Sequence, residues 1–203
     1  MPTIKKYKIC KRLGAGVYEK CQTQKFAMRS QQKYAPKGKR PKRMSDYGLQ
    51  LIEKQKVRFL YGLSEKQFRN YVDKSQISPI KGSTPAVTLF QTIEKRLDNT
   101  LYRLGIAPTR RMARQMASHG HFLINDKRTT VPSYALKDGD VISVREGSKQ
   151  SGLFTELGDR MKSRKQSPWL LWDPKKMTGT VSGAPADPDA FLNFQSVIEY
   201  YTR

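Results

Sequence analysis

Residues 96–144 read RLDNTLYRLGIAPTRRMARQMASHGHFLINDKRTTVPSYALKDGDVISV, and within them the hydrophobic period switches once. Leu97, Leu101 and Leu104 follow three- and four-residue steps, the spacing that lines one side of a helix, and Gly105 suits its C-cap. Thr109 offers an N-cap to a second, shorter helix in which Ala113, Met116 and Ala117 face inward. Beyond Gly120 the pattern becomes strand-like. His121 to Ile124 is followed by a turn at Asn125-Asp126, a segment through Val131, a turn at 137–140, and Val141 to Val144. Two helices followed by short antiparallel strands make a small α+β module.

Upstream, Phe90 and Ile93 continue the same helical stripe into Leu97, so the period predicts one helix running from about residue 90 to Gly105. Ser64 with Gln67 three residues on forms a capping box for a helix that buries Phe68, Tyr71 and Val72. Ser45 caps an earlier one, in which Leu49, Ile52, Phe59 and Leu60 recur near helical spacing and Lys54, Lys56 and Arg58 occupy other faces. Before it, KYAPKGKRPKR (33–43) combines Pro, Gly and many cations with almost nothing apolar, a composition that orders only on a partner. Downstream, Trp169 to Trp172 and Met177 to Val181 suggest strand-like pieces, and Phe191, Phe194, Ile198 and Tyr201 a terminal helix that folds back onto the early ones.

The fold class expected is α+β. A basic extended arm spans 1–44. A helical domain spans 45–93 and is completed by 175–203. The α/β module, two helices packed on a short antiparallel sheet, spans 94–174.

Charge narrows the function. Across 203 residues, 39 Lys+Arg against 17 Asp+Glu give +22, an imbalance that calls for a polyanionic partner. Residues 1–70 hold 19 basic and 4 acidic side chains, a difference of +15, and the remaining 20 and 13 differ by +7. No apolar stretch approaches the roughly 20 residues a membrane span needs, and the amino terminus leads into no signal core. A soluble, cytosolic protein without a membrane partner is expected. Cys10 and Cys21 lack the paired spacing of a zinc site or a disulfide framework. No phosphate loop, nucleophile elbow or metalloprotease motif is present, so neither a catalytic residue, a metal nor a cofactor is expected.

Candidate RNA contacts follow from residue chemistry. In the arm, Lys37, Lys39, Arg40, Lys42 and Arg43 meet no acidic neighbour until Asp46, which leaves their attraction to phosphate uncancelled. Arg110, Arg111 and Arg114 cluster at a helix start, where planar guanidinium forks and the helix dipole both favour phosphate; the reading places all three on an outward side. Tyr47 interleaves with cations and could stack on an unpaired base. Lys54, Lys56, Arg58, Arg69, Arg96, His119, His121 and Lys127 complete the candidate set.

The 96–144 block, together with SDYGLQLIEKQKVRFLYGLSEKQFRNYV (45–72) and the ending VIEYYTR (197–203), closely resembles the bacterial small-subunit ribosomal protein family S-four, over most of the chain. The resemblance implies an rRNA-binding structural protein that nucleates small-subunit assembly. It would bind a multi-helix rRNA junction beside neighbouring small-subunit proteins and help line the channel by which messenger RNA enters, with Arg40 and Arg43 at matching arm positions. Many members carry four zinc-binding cysteines near the amino terminus; here Tyr7 and Phe26 stand where two would fall, and no zinc is expected. Two alternatives share the module. One is a free-standing RNA-binding regulator of translation. The other is an RNA-modifying enzyme of the pseudouridine synthase kind, whose Arg-Leu-Asp motif Arg96-Leu97-Asp98 repeats. Only about sixty residues follow Val144, fewer than such a catalytic domain requires.

Overall fold

The computed structural model describes residues 5–26, 28, 44–155, 157, 161, 167–186 and 188–203. In chain order the helices are α1 (Lys6–Leu13), α2 (Asp46–Leu60), α3 (Glu65–Ile77), α4 (Pro85–Glu94), α5 (Leu97–Arg103), α6 (Arg110–Ser118), α7 (Glu146–Lys149), α8 (Gly152–Thr155) and α9 (Phe194–Thr202). The strands are β1 (Phe122–Ile124), β2 (Lys127–Thr129), β3 (Val141–Val144), β4 (Leu170–Asp173) and β5 (Thr178–Val181). Two compact units result: Met1–Leu89 with Asp189–Arg203, and Phe90–Pro188.

In the first unit the caps sit where the sequence puts them. Ser45 Oγ accepts the Gly48 amide at 3.3 Å, and Ser64 and Gln67 close a reciprocal box at 3.3 and 3.4 Å. Asn193 starts α9 by accepting from the Ser196 amide at 3.0 Å, and α9 packs along α2. That packing corrects the place of Lys54, which is 6% exposed rather than on a solvent face. The α9 rings of Tyr200 and Tyr201 lie 4.7 and 5.7 Å from its ammonium, which donates to Glu65 Oε1 at 2.7 Å. Tyr201 donates its phenol proton to the same oxygen at 2.7 Å. Lys56 and Arg58 are drawn in as well: Lys56 pairs with Glu53 at 2.6 Å, while Arg58 donates to Gln55 at 2.9 Å and covers the Phe59 ring at 4.4 Å.

Cys10, Cys21 and Phe26 form a small buried cluster, and the Tyr7 ring stacks on Phe26 at 6.0 Å. The two positions that depart from the cysteine pattern thus pack on each other. Burial, and then the neighbouring Cys21 thiol, push the Cys10 thiol up to about 12, which keeps it protonated and unreactive.

In the second unit the strands form one antiparallel sheet ordered β2-β1-β3-β5-β4. The tight β1–β2 turn uses Asn125 and Asp126 at positive φ, 48° and 64°, residue types that tolerate the left-handed region. Phe122, Ile142, Leu170 and Val181 from the sheet join Leu97, Leu101, Leu104 and Met116 from α5 and α6 in one core. Because β5 pairs with both β3 and β4, residues 175–188 belong with the module, and the boundary falls at 188 rather than 174.

The single helix expected across 90–105 is two, α4 and α5, broken at Lys95-Arg96. Arg96 turns extended at φ −69° and ψ 140°. The amides of Leu97 and Asp98 are diverted to the carbonyls of Tyr134 and Pro132 at 2.9 and 3.0 Å, and Leu136 donates back to Lys95 at 2.9 Å. A loop distant in sequence takes the hydrogen bonds that the helix would have used.

Two outcomes check this architecture. A methyl group at Gly179 would stand 2.9 Å from Leu104 Cδ1 and 3.2 Å from Trp172 Cε3. Gly179→Ala is therefore expected to cost about 1–3 kcal/mol by overpacking, read from the urea midpoint. Burial alone would raise the Glu65 pKa, but the hydrogen bonds from Lys54 and Tyr201 outweigh it and hold the carboxyl below its usual range. A depressed pKa contributes stability that is complete above the unfolded value, about 4.3, and lost as pH falls through the folded one. Glu65→Gln should accordingly unfold more readily than the parent at pH 7, by a margin that shrinks progressively as pH falls below about 4.3.

Candidate RNA interface

The helix break delivers acidic side chains into a setting rich in guanidinium groups. Asp98, on the first turn of α5, is 2% exposed, a place where the helix dipole favours a carboxylate. It accepts from Arg96 Nε and Nη2 at 3.1 and 2.9 Å, and from Arg114 Nε of α6 at 2.7 Å. Glu94, at the end of α4 and 1% exposed, receives Arg103 Nε and Nη2 at 2.8 and 2.7 Å and Asn99 Nδ2 at 2.7 Å. Asn99 in turn accepts from Arg110 Nε at 2.8 Å, and the Arg110 guanidinium lies 4.2 Å from the centre of the Tyr102 ring. Four guanidinium groups and two carboxylates leave this network with a formal charge of +2.

The network corrects two expected positions. Arg110 is 8% exposed and Arg96 4%, so neither projects outward. The reason is that α5 and α6 pack face to face, and a planar guanidinium can be buried where carboxylates, amides and a ring satisfy it. Arg96 and Asp98 of the Arg-Leu-Asp triplet are tied to each other and to α6, an architectural role. Arg114 keeps 34% of its side chain exposed, and Arg111, one residue from the buried Arg110, is exposed.

Other candidates lie elsewhere. Lys127 is exposed on β2. In the first unit, Arg69 is 70% exposed and only 3.9 Å from Asp73, a loose pair of little energetic weight. Tyr47 is exposed, its hydroxyl 3.4 Å from that of Tyr200, and that hydrogen bond raises its pKa. Lys37, Lys39, Arg40, Lys42 and Arg43 lie outside the described residues.

His119 and His121 flank Gly120, whose φ of 71° turns α6 into β1. Their ring centroids stand 6.0 Å apart. His121 Nδ1 is 3.0 Å from Ser148 Oγ and its ring meets Phe154 edge-on. Arg128 reaches over the turn, Nη2 to the His119 carbonyl at 3.5 Å, and the Arg145 amide donates to the His121 carbonyl at 2.9 Å. Sequence reasoning missed Arg128 and Arg145, which come together with the histidines only through the β2–β1–β3 register; the alternation around the Asn125-Asp126 turn was the available signal. Burial first, then the positive charge of His119, Arg145 and Arg128, holds His121 below its usual pKa. Among the described residues no cluster of His, Cys, Asp and Glu is arranged to hold a metal, and no helix is long and apolar enough to cross a membrane.

Comparison with known proteins gives a consistent result. Residues 3–94 match the family model of the ribosomal protein S4/S9 N-terminal domain, and residues 95–142 that of the S4 domain. The chain is 43% identical over 204 residues to the small ribosomal subunit protein uS4 of Thermus thermophilus, across 97% of this chain and 96% of that one. To the proteins of the same name from Acetivibrio thermocellus and Pelotomaculum thermopropionicum it is 41% and 40% identical, with the same coverage.

If Asp98 is the joint between α5 and α6, Asp98→Asn leaves two guanidinium groups without their shared charge. The expected loss is about 3–5 kcal/mol, the range for breaking a buried pair from one side, measured as a fall in the urea midpoint. A change within error would remove Asp98 from the architecture.

Proposed function

The chain belongs to the small ribosomal subunit protein uS4 family, and from that premise we propose that it is a structural, non-enzymatic constituent of the small ribosomal subunit. It binds small-subunit rRNA directly, helps nucleate assembly, contacts neighbouring small-subunit proteins, and helps line the channel by which messenger RNA enters. The observation that carries the reading is the sorting of charge in the module. The buried carboxylates of Glu94 and Asp98 are consumed inside the α5–α6 joint and that of Asp140 by the Asn125 side chain and the Lys137 amide, while Arg111, Lys127 and the rim of Arg114 remain at the surface. A rigid cationic face fits a folded polyanion better than a flexible one, since less side-chain freedom is lost on binding.

Within this reading, Arg111, Arg114, His119, His121 and Lys127 meet RNA from the module, and Tyr47 and Arg69 from the helical unit. The arm cations Lys37, Lys39, Arg40, Lys42 and Arg43 add contacts, with Arg40 and Arg43 nearest the messenger. Arg96 and Arg110 position this face from beneath, Lys54 fixes α9 on α2, and Lys56 and Arg58 act at the rim.

Arg111→Ala with Lys127→Ala tests the reading on two exposed side chains that the fold does not use. Affinity for a small-subunit rRNA transcript should fall. The slope of log K against log salt should flatten by about one for each phosphate that the variant no longer neutralises, with an unchanged melting temperature. Failure of the parent chain to bind that transcript at low ionic strength would overturn the proposal.

A further inference from the structure

At the turn between α6 and β1, two imidazoles and two guanidinium groups converge without a counter-charge. Arg128 and Arg145 are exposed, as is His119, and among the described residues none of these three, nor His121, stands in an ion pair with a carboxylate. The contrast with the α5–α6 joint is direct, because there each cluster of arginines encloses an acid. The charges of Arg128 and Arg145 both bear on the His121 ring, which stands 6.0 Å from that of His119, and with no acid in an ion pair there among the described residues they disfavour its protonation in the free protein. The backbone keeps them together nonetheless. Gly120 holds a positive φ beneath the Arg128 guanidinium, and the Arg145 amide is tied to the His121 carbonyl. A fixed, uncompensated cationic concentration of this kind suits a phosphate group.

We propose that the Gly120 turn is a phosphate seat for RNA, in which Arg128 and Arg145 clamp the backbone and His121 takes up a proton as the phosphate arrives. The idea rests on the RNA-binding reading and adds to it a site and a proton linkage. Ser148 Oγ occupies Nδ1 of His121, which leaves Nε2 as the nitrogen that donates to a phosphate oxygen. The groups facing His121 are His119, Arg128 and Arg145, with Phe154 against its ring. In the free protein that positive surrounding and burial disfavour the imidazolium; a bound phosphate reverses the sign of the local field and favours it. Binding and protonation then promote each other, and affinity rises as pH falls.

The test is binding of the full chain to an in vitro transcript of small-subunit rRNA at pH 6 and pH 8, at constant ionic strength. The parent protein should bind more tightly at pH 6 by several-fold, up to about tenfold for each unit by which the phosphate raises the His121 pKa. His121→Gln should abolish that step, and His119→Gln should retain it. Arg128→Gln with Arg145→Gln should flatten the salt slope by about two and shrink the pH step. The double arginine variant also serves if His121→Gln melts early, because its guanidinium groups are exposed and the core does not need them. Equal parental affinity at both pH values, or an unchanged salt slope in the arginine variant, overturns the seat. Absence of any binding by the parent overturns the RNA-binding reading instead.

Discussion

Two buried carboxylates, Glu94 and Asp98, sit where the chain leaves one helix and enters the next, and the module is arranged around what they attract. Removing them from water is costly, and the cost is recovered only because guanidinium forks meet them at 2.7–2.9 Å in a setting of low polarisability. Asp98 gains further from its place on the first turn of α5, where the helix dipole favours negative charge. That place exists because Arg96 is extended and the amides of Leu97 and Asp98 are held by the 132–134 carbonyls. Loop, helix break and ion network are therefore one constraint. It aims Leu97, Leu101 and Leu104 at the sheet, and it sets the face of α6 that bears Arg111 and Arg114.

Much of this arrangement could be read from residue types alone. Ser45, Ser64 with Gln67, and Thr109 are short polar side chains at fixed offsets, and a cap needs nothing but local geometry, so their hydrogen bonds lie where the spacing put them. The turn at Asn125-Asp126 and the strands on either side follow for the same reason. The break at Lys95-Arg96 was illegible because the apolar stripe from Ile93 to Leu97 to Leu101 keeps its period across it and neither breaking residue is Gly or Pro. Only a loop some forty residues onward reveals it. Residues 175–188 escaped assignment to the sheet on similar grounds, since their pairing partners in β3 lie far away in sequence.

Site residues divide along the same line. A basic side chain advertises its charge but not its exposure, and Arg96, Arg110 and Lys54 each look like surface cations until the partner elements are in place. In each case folding brings the cover: Asp98, turned towards Arg96 by the helix break, Asn99 and Tyr102 over Arg110, and Tyr200, Tyr201 and Glu65 around Lys54. Arg128 and Arg145 show the converse. Each is unremarkable alone, and together they gain significance from being folded beside two histidines.

A chain of net charge +22 must keep its own cations apart or compensate them if it is to fold before meeting a polyanion. Exposed charges farther apart than the screening length, about 8 Å at physiological salt, repel one another weakly and need no remedy. Closer groups have two options. Where an acid stands between them, as Asp98 does between Arg96 and Arg114, the cluster stabilises the native state and little field escapes. Where no acid intervenes, as with Arg128 and Arg145 around Gly120, the repulsion persists in the free protein, and on the proposal above a ligand phosphate relieves it. Spacing together with the presence or absence of an enclosed carboxylate thus separates cations that build the fold from those proposed to meet RNA, a distinction that total charge and helix position do not make.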